Sequence, residues 1–190
     1  MDKLLVEEKT FQEIDFTEAP LATGDYENCS FVNCNFSGSS LANCVFSACT
    51  FNGCNMSTAN LSKTALRDIK FTDCKLLGLH FQDSNHIGFE VIFDNCILNL
   101  SSFYKLKLKN TLFKNSSILE ADFAEADLTA AIFQDCNLAG TIFENTILEK
   151  ADFRLAYNYT IDPELNRIKK ARFSAAGITG LLLKYDIEIA

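Results

Sequence analysis

Positive charge is scarce in this chain of 190 residues, with 17 Lys and Arg against 25 Asp and Glu and a net charge of −8. That balance disfavours nonspecific binding to nucleic acid or to an anionic membrane. Histidine is scarcer still. Only His80 and His86 are present, the first expected to point outward and neither expected to be catalytic. Long apolar runs are missing, which excludes a membrane-spanning helix. The opening Met1-Asp2-Lys3-Leu4-Leu5-Val6-Glu7-Glu8 has no hydrophobic core of a signal peptide and carries acids where such a peptide carries bases. The chain therefore reads as cytoplasmic. No nucleophile elbow, phosphate-binding glycine loop or H-E-x-x-H helix occurs. We expect no enzyme and no cofactor. Finally, not one charged residue lies between Asn28 and Ser62.

What is present is a period of five. From Phe11 to Phe81 every fifth residue is large and apolar, and after a two-residue slip the series resumes from Phe93 to Phe153. On an α-helix each step of five advances about 500°, so successive members share no face. On a straight strand an odd step alternates faces. All these side chains reach one core only if the chain turns a corner at every pentapeptide. It must coil around its own interior as a solenoid.

Every fourth member of the series is phenylalanine: Phe11, Phe31, Phe51, Phe71, Phe93, Phe113, Phe133 and Phe153. Four sides, each one pentapeptide long, therefore make one coil, with these rings stacked as a core ladder. Phe173 falls on the same ladder, one further coil after Phe153. The step from Phe71 to Phe93 is longer by two, which places two extra residues on one side of one coil, within 82–92. About seven coils at a strand spacing of roughly 4.8 Å give a rod of about 34 Å.

Two residues before most large members sits a small one, such as Ser39, Ser101, Thr111, Ala121, Ala126 or Ala151. Ala59-Asn60-Leu61, Ala121-Asp122-Phe123, Ala126-Asp127-Leu128 and Ala151-Asp152-Phe153 give the chain its resemblance to the pentapeptide-repeat proteins, whose consensus is Ala-(Asp/Asn)-(Leu/Phe)-x-x. The resemblance covers 11–153 and implies an all-β solenoid, a right-handed quadrilateral β-helix. Its better-known bacterial members, the quinolone-resistance and mycobacterial fluoroquinolone-resistance proteins, imply an acidic mimic of DNA that binds a type II topoisomerase. This chain lacks the long loops of the first group. The alternative is a generic scaffold that binds another protein. Either way we expect a non-enzymatic interaction protein with a protein partner and no direct contact with nucleic acid or membrane.

All eight cysteines, Cys29, Cys34, Cys44, Cys49, Cys54, Cys74, Cys96 and Cys136, occupy the small position. They are expected to pack inward as small hydrophobes. Cys34, Cys54, Cys74 and Cys96 should stack one coil apart, with parallel Cβ vectors that suit a disulfide poorly. Their C-x₄-C spacing differs from the paired C-x₂-C of zinc sites.

Residues 1–10 are expected to cover the first coil and 154–190 the last. Asp162-Pro163-Glu164 reads as a helix start running to about Lys170. A second short helix after Ser174 would bury Ile178, Leu181 and Leu182, and alternating Tyr185, Ile187 and Ile189 suggest a final strand. These six residues form the expected cap contact, to which the resemblance adds a homodimer contact through the C-terminal region. Asn28, Asn33 and Asn43, each three residues before a large position, suggest corner-lining amides. Glu120, Asp122, Glu125 and Asp127 gather on one coil as a candidate acidic partner-binding face. Lys105, Lys107, Lys109 and Lys114 form a basic cluster one coil earlier, near Tyr104.

Overall fold

The structure, a computed structural model, describes residues 4–188. Its first strands are β1 (Leu4–Glu7), β2 (Thr10–Gln12), β3 (Gly24–Glu27), β4 (Ser30–Val32), β5 (Val45–Ser47) and β6 (Thr50–Asn52). They are followed by β7 (Ala65–Arg67), β8 (Ile69–Thr72), β9 (Val91–Asp94), β10 (Leu112–Lys114) and β11 (Ile132–Gln134). Two parallel sheets result, in the orders β1-β3-β5-β7 and β2-β4-β6-β8-β9-β10-β11. Phe11 pairs with Phe31 and Phe31 with Phe51, so one coil is four pentapeptides long. The other two sides are ladders of single bridges, Asp15–Asn35–Asn55–Lys75 on one and His80–Ser102–Asp122–Ile142 on the other. The chain is a four-sided parallel β-solenoid.

Corners come mostly from one position, two residues after a large anchor, where the backbone adopts positive φ. Asn28 (52°), Asn33 (51°) and Asn43 (62°) stand there, as do Gly38, Gly53, Gly78 and Gly140. Asparagine and glycine tolerate this left-handed conformation best. The expected corner amides are therefore in place. Leucine, alanine and threonine also occupy it, at Leu100 (60°), Ala130 (57°) and Thr58 (55°).

Inside, the phenylalanine ladder runs unbroken. Phe31 and Phe51 stack at 4.7 Å, Phe71 and Phe93 at 5.4 Å, Phe113 and Phe133 at 4.8 Å, and Phe153 and Phe173 at 5.4 Å between ring centroids. A second ladder, Phe81–Phe103–Phe123–Phe143, stands beside the first and meets it edge-on, as in Phe103 against Phe113 at 6.0 Å. All eight cysteines are buried and none forms a disulfide. The small position has a second use besides fitting. Cys54 donates its thiol to the Phe31 carbonyl, Cys74 to that of Phe51, Thr64 its hydroxyl to that of Leu41 and Ser101 to that of Leu76, always an anchor of the coil below. Cysteine, serine and threonine interchange there because each fills a small space and ties one coil to the last. Burial pushes the Cys49 thiol up to about 11 and that of Cys136 to about 12.

The two-residue slip lies between Asn85, which pairs with Ala65 in the regular register, and Val91, which pairs with Ile69 two residues beyond it. His86 and Ile87 turn out to solvent there, and the partly buried Phe89 packs edge-on against Phe81 at 6.3 Å.

At both ends the solenoid runs further than the period of five suggests. Residues 4–7, expected to form part of a cover, are themselves the strand β1, paired Leu4 to Gly24. At the other end Ile147 bridges to Arg167 and Asp152 to Arg172, so 154–172 continue the coil. The helix expected from Pro163 to Lys170 does not form. Asp162 accepts the Glu164 amide at 2.8 Å, and buried Asn166 fills the small position. Its side chain donates to the Phe143 carbonyl at 2.8 Å and accepts the Thr146 amide at 2.9 Å. Three such ladder and turn interactions outweigh a local helix signal worth about 1 kcal/mol. The short helix after Ser174 is present as 3₁₀ turns at Ala176–Leu181 and Leu183–Tyr185. Leu181 and Leu182 are half-buried, but Ile178 is exposed rather than buried. Tyr185 and Ile187 are exposed and lie on no strand, and Ile189 falls outside the described residues.

Candidate interaction surfaces

Each side of the rod shows solvent the residues just before and after its anchors. Successive coils repeat these positions, so charges far apart in sequence become neighbours. The four acids of the candidate face divide into two pairs on this basis. Asp122 and Asp127 point into their own turns: Asp122 accepts the Ala124 amide at 2.8 Å, and Asp127 accepts the Thr129 amide at 3.1 Å and its hydroxyl at 2.6 Å. Glu120 and Glu125 stand at left-handed corners, at φ of 54° and 56°.

The lysine cluster lies across from them on the preceding coil. Lys105 reaches Glu125 at 3.3 Å, where Tyr104 also donates its hydroxyl at 2.9 Å. Lys109 reaches Asp127 at 3.2 Å, and Lys114 reaches back to Asp94 at 3.0 Å. Burial pushes the Asp127 carboxyl up, but the bonds from Thr129 and Lys109 more than reverse this and hold it below its ordinary value. The structure thus brings Glu125 and Asp127 together with Lys105 and Lys109 as inter-coil rungs, while among the described residues Glu120, Asp122 and Lys107 join no such rung and Lys114 pairs with Asp94 instead. Their proximity was readable from the length of the coil; their pairing needed the side-chain geometry. As exposed pairs, screened by solvent, they contribute little to stability.

Around Ile132, Gln134, Asp152, Arg154 and Leu155 a shallow groove of about 530 Å³ opens on the outer face of the larger sheet. Arg154 grips the Asp152 carboxylate at 2.7 Å and holds it below its usual range. The cap is held by a cluster that sequence reading did not single out. Lys184 bonds Asp162 at 2.6 Å and Glu164 at 2.7 Å, and the Tyr185 hydroxyl donates to Glu164 at 3.0 Å. Its only signal was that these partners stand about one coil apart. His80 and His86 are both exposed, within 2.9 Å of the Gln82 side chain and carbonyl respectively. No group of acids, histidines and cysteines among the described residues is arranged to hold a metal ion. Among those residues no helix is long and apolar enough to cross a membrane.

One solved structure shares this architecture. HetL, a pentapeptide repeat protein involved in heterocyst differentiation regulation from the cyanobacterium Nostoc, superposes with a TM-score of 0.58 at 14% identity, over 90% of this chain and 87% of that one. QnrB1 (trypsin treated), a plasmid-mediated fluoroquinolone resistance protein, aligns over 99% of this chain and 98% of its own at 17% identity, with a TM-score of 0.47. Among curated proteins none matches. The pattern described as a pentapeptide repeat region matches residues 24–90 and 87–157. Covering most of the coil that the pairing defines, that match makes this chain a member of the pentapeptide-repeat family.

Proposed function

We propose that this chain is a non-enzymatic protein-interaction module acting in the cytoplasm. The observation that carries this reading is the regular spacing of charged side chains along the rod, in rungs such as Lys105–Glu125 and Lys109–Asp127. Such a surface offers a partner a broad, flat, patterned face. The first partner to test is a type II topoisomerase, met as a mimic of duplex DNA. The net charge of −8 and the rod support that choice. The interleaved lysines weigh against it, because mimicry needs a continuous anionic face, and they favour a scaffold for another protein. Glu120 and Glu125 are the acids free of turn duties and the ones we assign to the contact. Exposed Ile178, Tyr185 and Ile187 support pairing of two copies through the C-terminal region.

A gyrase supercoiling assay titrated with this protein, with and without a fluoroquinolone, tests the topoisomerase reading. Inhibition or drug protection that is lost in the double variant Glu120→Lys, Glu125→Lys supports it. Undiminished supercoiling at about 10 μM protein, far above the Kd of a specific complex, removes topoisomerase as the partner.

A further inference from the structure

The two ends of the rod carry opposite charge. Residues 4–20, the first coil, hold five acids (Glu7, Glu8, Glu13, Asp15 and Glu18) and one base, Lys9, a net of −4. All five acids are exposed. Residues 154–173, the last coil, hold five bases (Arg154, Arg167, Lys169, Lys170 and Arg172) and two acids, Asp162 and Glu164, a net of +3, and the four bases from Arg167 to Arg172 are exposed. The strand order leaves β1 and β2 as outermost strands of their sheets, with no partner on their outer edges among the described residues. At the other end the cap is fastened to the side holding Ile161, Asp162 and Glu164, through the Ile161 amide to the Gly180 carbonyl and the Lys184 pairs. Arg167 to Arg172 are left at the rim.

We infer that a second copy of this chain docks head to tail, its acidic first coil against the basic last coil. The ladder register specifies the match. Arg167 continues the column Lys107–Asp127–Ile147–Arg167, whose first-coil member is Leu5. A copy continuing this column sets its Glu7 beside Lys169, its Glu8 beside Lys170, and its Phe11 above Phe173. Lys170 (φ 61°) and Glu8 (φ 51°) are both left-handed corners, like Lys105 (60°) and Glu125 (56°), which pair across successive coils of one chain. The joint repeats a contact the molecule already makes. Apolar groups accompany the charges, Leu4 and Leu5 at one end and Leu183 and Ile187 at the other. Because the two surfaces differ, the contact is heterologous and propagates as an open chain. It is distinct from the C-terminal pairing proposed above, because it also requires the opposite end of the molecule.

Sedimentation velocity on the full chain tests this. Its weight-average mass should rise with concentration in about 20 mM salt and fall back in about 500 mM, where screening confines charge interactions to a few ångströms. The variants Lys169→Glu, Lys170→Glu and Glu7→Lys, Glu8→Lys should each lose association by roughly tenfold or more. Mixing the two variants should restore it as alternating chains, since every end then meets its opposite. Circular dichroism on both confirms that these corner substitutions leave the coil intact. A wild-type protein that stays monomeric at about 1 mM, the weak limit of specific affinity, overturns the inference. So does a species that stops at a dimer and ignores both salt and the Glu7 and Glu8 substitutions.

Discussion

Phe113 lies between Phe93 and Phe133, at centroid distances of 5.2 and 4.8 Å, and meets Phe103 and Phe123 edge-on. It is fully buried. Truncating such a side chain removes ring contacts above, below and to the side, in a solenoid whose backbone ladder resists collapse into the space. Phe113→Ala should therefore cost roughly 3–5 kcal/mol, measured by chemical denaturation, and a near-neutral result would mean the ring is not held inward. The corner position predicts the opposite sign. Leu100 holds a φ of 60° with its side chain mostly in solvent, so its large apolar group is strained at the backbone and gains little packing. Leu100→Asn should stabilise by about 1 kcal/mol, the usual penalty of a left-handed residue that asparagine largely avoids. An unchanged or lowered midpoint of unfolding counts against corner strain. Both positions were legible in the sequence to different degrees. Phe113 announces itself through the period of five. Leu100 does not, because asparagine and glycine mark corners and leucine carries no such mark.

The side of the coil is the element here, and the ends show where local signals mislead. Asp162-Pro163-Glu164 has the chemistry of a helix start, yet Asn166 and the bridges at Arg167 and Arg172 keep it in the coil. A period of five cannot reveal this, since no large apolar residue stands at position 158 or 163. The two prolines make sense only in the coil. The residue before an anchor donates its amide to the coil below, as Asn60 does to Ser39, and the anchor donates to the coil above, as Phe123 does to Ile142. Pro20 occupies the first of these positions on the first coil, and Pro163 the second on the last. Each removes a donor that would otherwise face an open end. The cap meets the rest of that need. Gly177 and Gly180 of its 3₁₀ turn lie against Tyr159, so close that any larger side chain at Gly180 would collide with the Tyr159 backbone. Removing residues 174–190 uncovers Tyr159 together with the ladder edge at Ile161. The truncated protein should elute as aggregates in size-exclusion chromatography, and a soluble monomer as stable as the intact chain would refute the capping role.

At the scale of the whole molecule, one coil is the unit of exchange. Every coil meets only its neighbours, and outside the slip a residue always sits over its counterpart four pentapeptides away. The uncharged stretch from Asn28 to Ser62 is where this matters most, for no ion-pair rung crosses it. Deleting residues 42–61 removes one full turn and joins Leu41 to Ser62. Phe31 then stacks on Phe71, Phe36 on Leu76, and Leu41 beneath Phe81, each an apolar anchor on the side it already occupies. Left-handed corners stay in phase, and the inter-coil pairs from Asp94 to Arg167 are untouched. Stability in such a stack is close to a sum of coil and interface contributions. The loss should therefore be that of one coil of average residues, roughly 1–3 kcal/mol. Thermal unfolding followed by circular dichroism should show a single transition at a modestly lower temperature, with the same strand signal per residue. An unfolded product would mean that the ring ladder depends on particular neighbours, Phe46 or Phe51 among them, and that the coils are not equivalent. A folded one would establish the four-pentapeptide turn as the unit in which this chain can be lengthened or shortened.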